Sequence, residues 1–145
     1  KRVVLDKNLE IKLSSFIFRS AKNANTIIFH NSTNKSKIKI LRKQGIKLIK
    51  SKLNNKKYFN LKAILKKLYI LGSRNLLIEG GDKITKNLLK NRLINKFYLF
   101  SSPKNLSKFN NYQSFSSLNL LNKKKFFKSK ISSKLAKDTI TIYKR

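Results

Sequence analysis

The chain has 145 residues, which is enough for one ordinary domain with a buried core. It contains no cysteine, and this excludes disulfides, a thiol nucleophile and cysteine-ligated zinc. His30 is its only histidine, which excludes His-rich metal sites and argues against a Ser-His mechanism. No apolar run approaches the length of a membrane-spanning helix, so we expect no membrane partner.

The formal net charge is +31, which raises the question of a nucleic-acid partner. Only six of the 36 basic residues are arginine, the residue that makes bidentate contacts with bases and phosphates. The composition therefore favours a lysine-covered surface over a dedicated nucleic-acid reader. A basic nucleic-acid-binding module stays open as an alternative, because Tyr58, Phe59, Phe126 and Phe127 lie among lysines and could stack on bases.

The first third of the chain alternates strand and helix signals. Residues 2–5 and 26–29 are short apolar runs rich in β-branched side chains and predict buried strands. Residues 9–18, between them, predict a loop with a short helical turn. Apolar spacing over residues 35–43 predicts an amphipathic helix that Gly45 ends, and a third strand follows at residues 46–50.

The pattern continues after a polar surface connection at residues 50–57. Apolar residues between positions 61 and 69 recur at helical spacing, and Gly72 supplies the stop. The apolar triplet at residues 76–78 predicts a strand, and residues 84–89 place isoleucine and leucine on one face of the next helix.

Residues 95–102 are apolar on both alternating faces and predict an interior strand. Residues 104–122 give no clear assignment. Residues 125–132 and 139–143 predict an antiparallel strand pair joined by a turn at residues 134–138. Together these elements predict a three-layer α/β domain with a mostly parallel central sheet, crossover helices and a C-terminal antiparallel pair.

The only Gly-Gly pair of the chain follows the strand predicted at residues 76–78. Ligands in α/β sheets collect at such strand ends, where helix N-termini point free N–H groups outward. Glycines there allow positive φ and a close backbone approach, so a diphosphate is expected against the N–H groups of residues 81–85. Glu79 favours a functional site, because an acid at a strand end is costly to bury unless something uses it. A turn without a ligand is the alternative.

Asp82 complicates this prediction, since a carboxylate at the helix start would cap the helix and compete with a phosphate for the same donors. Lys83 and Lys86 would offset that repulsion.

The segment NLLIEGGDKITKNLLKNRLINKFYLFSSPK, residues 75–104, resembles the signature of the reductase domain in the bifunctional riboflavin-biosynthesis deaminase/reductase family. RVVLD at residues 2–6, the GIKLIK strand and the C-terminal DTITIYKR match as well, so the resemblance covers the chain. It implies a dihydrofolate-reductase-like α/β fold. It also implies a cytoplasmic, NADPH-dependent reductase whose substrate is a pyrimidine ribosyl phosphate. Members of the family tend to be dimeric, so the resemblance implies a homodimer as well.

The resemblance also implies roles for individual residues. Glu79 matches the acid that contacts the substrate. The positions that match cofactor contacts are Lys7, Gly81, Asp82, Lys83, Ile84, Thr85, Lys86 and Asn87. No catalytic residue and no metal ligand is implied.

The chain departs from the family pattern in three places. Residues 92–96 replace a Gly-Leu-Val-Asp-Glu-like turn and lack its glycine and both acids, and Asp82 stands where small residues or proline are usual. The Ser-Leu-Asp-Gly-Arg-like motif and the zinc deaminase motifs have no match here. We therefore expect the chain to be the C-terminal portion of a reductase domain within a longer polypeptide, and a same-fold reductase for another pterin or pyrimidine stays an alternative.

Overall fold

The computed structural model describes residues 1–103, 115–123, 126–131 and 137–145. The chain divides into two compact units, Lys1–Arg74 and Asn75–Arg145, and each unit contains a three-stranded sheet of its own. Within the described ranges, no helix has both the length and the apolar character that crossing a membrane requires.

The first unit is built on a parallel sheet whose strands are, in order, β1 (Arg2–Leu5), β2 (Thr26–His30) and β3 (Lys47–Lys50). Every residue of β2 is buried, because this strand is central and both of its faces are covered. In the register, Ile28 lies opposite Val4 on one side and Leu48 on the other. The three strands predicted from the apolar runs are confirmed.

Three helices accompany this sheet: α1 (Phe16–Arg19), α2 (Lys35–Lys43) and α3 (Leu61–Ile70). On one face of the sheet, Ile28 packs in a buried cluster with Leu41 of α2. On the other face, Ile27 and Phe29 pack with Leu68 of α3. Each such side chain contributes roughly 1.5–3 kcal/mol when fully buried. The first unit therefore has the helix, sheet, helix layering that the sequence predicts.

Asparagine and glycine set the ends of α2 and α3. Asn34 and Asn60 cap the two helix starts, each accepting a hydrogen bond from the backbone N–H three residues later. Gly45 and Gly72 follow the last helical turns with φ of 83° and 84°. These left-handed conformations favour glycine, so both predicted stops are confirmed.

The second unit contains α4 (Asp82–Lys90), β4 (Lys96–Ser101), α5 (Leu118–Lys123), β5 (Phe127–Ile131) and β6 (Thr139–Lys144). Its sheet is antiparallel with the order β4-β6-β5, which confirms the predicted C-terminal pair. The core joins Leu89 of α4, Leu121 of α5 and Tyr143 of β6. The turn predicted at residues 134–138 lies largely outside the described residues.

Two strand predictions are wrong in detail. Residues 76–78 form no strand, and Leu77 is 84% exposed; three apolar residues give a strand only where a neighbouring backbone completes the hydrogen-bond ladder. The interior position predicted for residues 95–102 is also not observed, since β4 pairs only with β6 among the described strands. Burial on β4 is one-sided: Phe97 and Leu99 are half-buried against the core, whereas Tyr98 and Phe100 are exposed.

The helix α5 was not predicted. It has six residues, and its start lies within residues 104–122, which gave no assignment from sequence. So short a helix has little stability of its own and depends on tertiary contacts, here the packing of Leu120 and Leu121 in the core.

The end of α4 has the same form as the ends of α2 and α3, but with arginine in place of glycine. Arg92 has φ of 55°, its N–H donates to the Leu89 carbonyl at 3.1 Å, and Leu93 N–H donates to the Leu88 carbonyl at 2.9 Å. A residue with a Cβ is strained in this left-handed position by about 1–2 kcal/mol.

We therefore predict that Arg92→Gly raises the free energy of unfolding by about 0.5–1 kcal/mol, the strain relieved less the added chain entropy of glycine. Gly72→Ala is the matched control, because an added Cβ there meets no atom within 4 Å and tests the backbone alone; it should destabilise. Urea unfolding followed by circular dichroism measures both. Destabilisation by Arg92→Gly would contradict the assignment of strain.

His30, at the end of β2, is 3% exposed, and no described residue is bonded to its Nδ1. Burial lowers the pKa of His30 below its ordinary value, and the positive charges of Lys50 and Arg42 lower it further. The folded protein therefore keeps this imidazole neutral to a lower pH than the unfolded chain, which takes up the proton near pH 6.5.

From these two states we predict that the contribution of His30 to the free energy of unfolding is constant above about pH 7. It falls as the pH drops below about 6.5, because the unfolded chain binds the proton first. Since His30 is the only histidine, His30→Gln should flatten the profile between pH 7 and 5. Unfolding midpoints across this range measure the effect. An unchanged slope in His30→Gln would exclude His30 as its source.

Candidate functional site

The first turn of α4 offers unpaired backbone donors. Gly81 occupies the position before the helix with extended backbone angles, φ −74° and ψ −177°, and no side chain caps this end. Thr85 N–H is the first to bond back, to the Gly81 carbonyl at 3.3 Å. The N–H groups of residues 82–84 have no acceptor among the described residues, so they form a concentrated positive dipole end.

The two glycines have different roles, and neither has the positive φ that the sequence analysis allowed for. A Cβ at Gly80 would collide with the side chain of Ile84, so Gly80 permits the chain to pass close to its own helix. A Cβ at Gly81 would meet no atom within 4 Å. The backbone at Gly81, immediately before the residues with these N–H groups, is therefore uncovered by the described residues.

Asp82 is the first residue of α4, yet its carboxylate does not bond to that helix. Ser117 donates to Asp82 Oδ1 through its backbone N–H at 2.9 Å and its Oγ at 2.6 Å, and Ser116 Oγ donates to Oδ2 at 2.7 Å. These hydrogen bonds, from Ser117 first and Ser116 second, lower the pKa of Asp82. The expectation that Asp82 caps α4 is wrong: its carboxylate lies at the start of α5.

The remaining side chains of α4 divide between the protein and solvent. Thr85 is buried, Ile84 packs on Gly80, and Asn87 Oδ1 accepts from Asn91 Nδ2 at 2.9 Å. Of these three residues, only Ile84 has a backbone N–H without an acceptor among the described residues, because Thr85 N–H bonds to Gly81 and Asn87 lies inside the helix. Lys83 and Lys86 are exposed, and they supply the positive charge that an anion at this helix start requires.

Glu79 is exposed and makes no hydrogen bond or ion pair with any described residue. The argument that its burial would be costly therefore does not apply. What the structure shows is a carboxylate available to an outside partner, three residues before the α4 helix.

Lys7 lies in the first unit, just after β1, whereas residues 79–87 belong to the second unit. Lys7 is half-buried and its carbonyl accepts from Asn31 N–H at 2.9 Å. The turn around it is held by Asp6, whose carboxylate accepts from Glu10 and Ile11 N–H, each at 2.8 Å. The Lys7 ammonium bonds to none of the described residues.

Sequence analysis missed Ser116 and Ser117, the partners of Asp82. They are separated from it by more than thirty residues, and serines in a serine- and asparagine-rich segment carry no signal of their own. Within the described residues, no three His, Cys, Asp or Glu side chains come together as a metal would require.

Comparisons with known proteins agree with this architecture. The family model of the RibD C-terminal domain matches residues 1–141. Riboflavin biosynthesis protein RibD of Aquifex aeolicus is 33% identical over 103 residues, and that of Actinobacillus pleuropneumoniae is 29% identical over the same length. Each alignment covers 71% of this chain and 27% of the relative, so the matched region spans about a quarter of those proteins.

Two solved structures have the same fold. A pyrimidine reductase-like protein of Corynebacterium diphtheriae aligns with a TM-score of 0.71 at 17% identity, covering 98% of this chain and 59% of that protein. RibD of Acinetobacter baumannii aligns with a TM-score of 0.69 at 17% identity, covering 99% of this chain and 37% of that one. With a family model matching nearly its whole length, the chain belongs to the RibD C-terminal domain family.

Proposed function

We propose that this chain is the reductase unit of a riboflavin-biosynthesis enzyme. The reaction is the NADPH-dependent reduction of 5-amino-6-(5-phosphoribosylamino)uracil to its ribitylamino product. Membership of the RibD C-terminal domain family supports the reductase and its pathway, because the relatives from Aquifex aeolicus and Actinobacillus pleuropneumoniae are named riboflavin biosynthesis proteins. The observation that supports the cofactor is the start of α4, with its unpaired N–H groups and open Gly81.

The first turn of α4 suits the diphosphate of a dinucleotide. Unpaired N–H groups at a helix N-terminus bind phosphate oxygens, and the helix dipole adds to the attraction. Lys83 and Lys86 add positive charge, while the Asp82 carboxylate is occupied elsewhere. Ile84 contributes its backbone N–H, whereas Thr85 and Asn87 are proposed as cofactor contacts on their match to the family alone. Lys7 is proposed as a further cofactor contact on its match to the family alone.

Glu79 is proposed to bind the substrate. Its carboxylate is a hydrogen-bond acceptor for the ribosyl hydroxyls or pyrimidine N–H groups of such a molecule. Because Glu79 precedes the α4 start by only three residues, a substrate held by it would lie close to a cofactor held by residues 81–84. Nearness of this kind is the main contribution that a protein makes to hydride transfer.

When bound, NADPH supplies a hydride from C4 of its nicotinamide to C1 of the substrate sugar, which is reached as the imine of the opened ring. The protein's part is to hold the diphosphate on backbone N–H groups and to orient the substrate through Glu79. The excess of lysine over acid also attracts both anionic molecules to the surface. Since the chain spans about a quarter of its RibD relatives, we propose that a longer polypeptide completes the substrate site.

We predict that Glu79→Gln lowers kcat/KM of the purified full-length protein by about 10- to 100-fold, the value of one hydrogen bond to a charged group. NADPH oxidation with the deaminated pyrimidine substrate measures it. Glu10→Gln is the matched control, because Glu10 is an exposed acid of the first unit, and it should leave the rate unchanged. Equal rates for Glu79→Gln and wild type would remove Glu79 from the site.

The alternative of a nucleic-acid-binding module loses part of its support. Phe59 and Phe126 pack against the cores of their units, which leaves Tyr58 and Phe127 as the exposed aromatics of the four. The two exposed rings belong to different units, so neither unit presents a stacking platform made from these residues.

Single-stranded RNA should therefore bind only through charge. We predict that the affinity for RNA, measured by mobility shift, falls steeply as the salt concentration rises and does not depend on the RNA sequence. At moderate salt, NADPH should not displace the RNA. Saturable NADPH binding alongside this behaviour supports the reductase. Tight RNA binding that persists at high salt, with no NADPH binding, would favour the alternative. A same-fold reductase with another pterin or pyrimidine substrate would show itself as NADPH oxidation with that substrate only.

A further inference from the structure

Asp82 presents a physical problem for the proposed cofactor site. A carboxylate in the first turn of a helix is attracted to the unpaired N–H groups there, and it repels any phosphate that uses them. In the proposed site this carboxylate would be a built-in competitor of the diphosphate. Its actual position decides whether the first turn of α4 can bind an anion.

The serine pair, Ser116 and Ser117, determines that position. Three donors converge on the Asp82 carboxylate: the Ser116 and Ser117 hydroxyls at 2.7 and 2.6 Å and the Ser117 N–H at 2.9 Å. Distances this short are typical of hydrogen bonds to an ionised acceptor. Ser117 is fully buried and its carbonyl accepts from Leu120 N–H at 3.0 Å, so it is fixed at the start of α5.

Charge around the pair reinforces the arrangement. Lys86, one turn after Asp82 on α4, has its ammonium 3.5 Å from Ser116 Oγ, on the same side as the carboxylate. Its positive charge further lowers the pKa of Asp82, after the effect of the serines. The carboxylate is thus ionised, hydrogen-bonded and accompanied by a cation, at a place where it does not occupy the α4 N–H groups.

We propose that Ser116 and Ser117 are positioning residues that hold the Asp82 carboxylate away from the first turn of α4 and so keep its N–H groups open to a diphosphate. The inference rests on the proposed function, since the ligand is the diphosphate of the cofactor. The two hydroxyls supply two of the three hydrogen bonds, so without them only the backbone N–H of residue 117 bonds to the carboxylate at α5. It then turns towards its own helix and excludes the anion.

The test uses the purified full-length protein and a double replacement, Ser116→Ala with Ser117→Ala. Calorimetry measures the Kd of inorganic pyrophosphate and of NADPH, and steady-state rates give KM for NADPH and kcat. We expect both Kd values and KM to rise about tenfold while kcat is unchanged, because the serines touch neither reacting molecule. Ser129→Ala, an exposed serine of β5, is the matched control and should change nothing.

Asp82→Ala separates positioning from a general structural effect. In that background the same serine replacements should leave both Kd values unchanged, because no carboxylate remains to be released. A tenfold loss that persists without Asp82 would mean that the serines act only by supporting α5, and would overturn the inference. So would serine replacements that leave pyrophosphate and NADPH affinity at the wild-type level.

Two further outcomes are distinguishable. If the double variant does not fold, Ser116→Ala alone gives the test, since Ser116 is exposed and donates one of the three hydrogen bonds; a smaller rise in Kd supports the inference and no rise contradicts it. A wild-type protein that binds pyrophosphate but does not oxidise NADPH contradicts the proposed function. The serine effect on pyrophosphate then decides the positioning role separately.

Discussion

The hydrogen bonding of one carboxylate governs the candidate site. Asp82 stands at the first position of α4, where its negative charge would ordinarily neutralise the helix start, yet Ser116 and Ser117 hold it at the start of α5. Among the described residues, the N–H groups of residues 82–84 have no acceptor. We infer that the availability of these donors to a diphosphate depends on that arrangement, to which the open backbone at Gly81 and the exposed lysines add.

Both units pack the elements that carry the candidate residues against buried cores. The second unit packs Leu88 and Leu89 of α4 into its interior, so the buried side of the helix fixes the direction of its free N–H groups. The first unit encloses β2 between helices on both faces, and the turn after β1 is held by two hydrogen bonds to Asp6. Side chains of this kind pack at crystal-like density, so the loops that follow the strands start from fixed positions.

The sequence predicted the first unit almost completely, because its signals are local. β-branched runs gave the three parallel strands, apolar spacing gave α2 and α3, and glycine gave the stops at Gly45 and Gly72. It failed where structure depends on distant partners. Among the described residues, residues 76–78 have no neighbouring strand to pair with. The helix α5 depends on packing in the core, which its own six residues do not predict. Arg92 adopts the left-handed conformation that glycine usually adopts at a helix end. The sequence does not reveal this strain, because it does not give the φ angle.

For the candidate site, the sequence predicted the helix that follows the two glycines, but the reasons it gave for some residues are wrong. Gly80 avoids a collision with Ile84 and has no positive φ, Glu79 is exposed, and Asp82 does not cap α4. The serine pair could not have been foreseen, since nothing in residues 82 and 117 marks them as neighbours. The helix start itself was predictable, because a Gly-Gly pair before an amphipathic helix is a local pattern.

The most direct measurement of the central claim is an NMR titration of the protein with NADPH, following backbone amide resonances. The account predicts that the N–H resonances of residues 82–84 shift most, with saturation at the same concentration, and that pyrophosphate shifts the same amides. Saturable shifts confined to other residues, with the first turn of α4 unaffected, would contradict it.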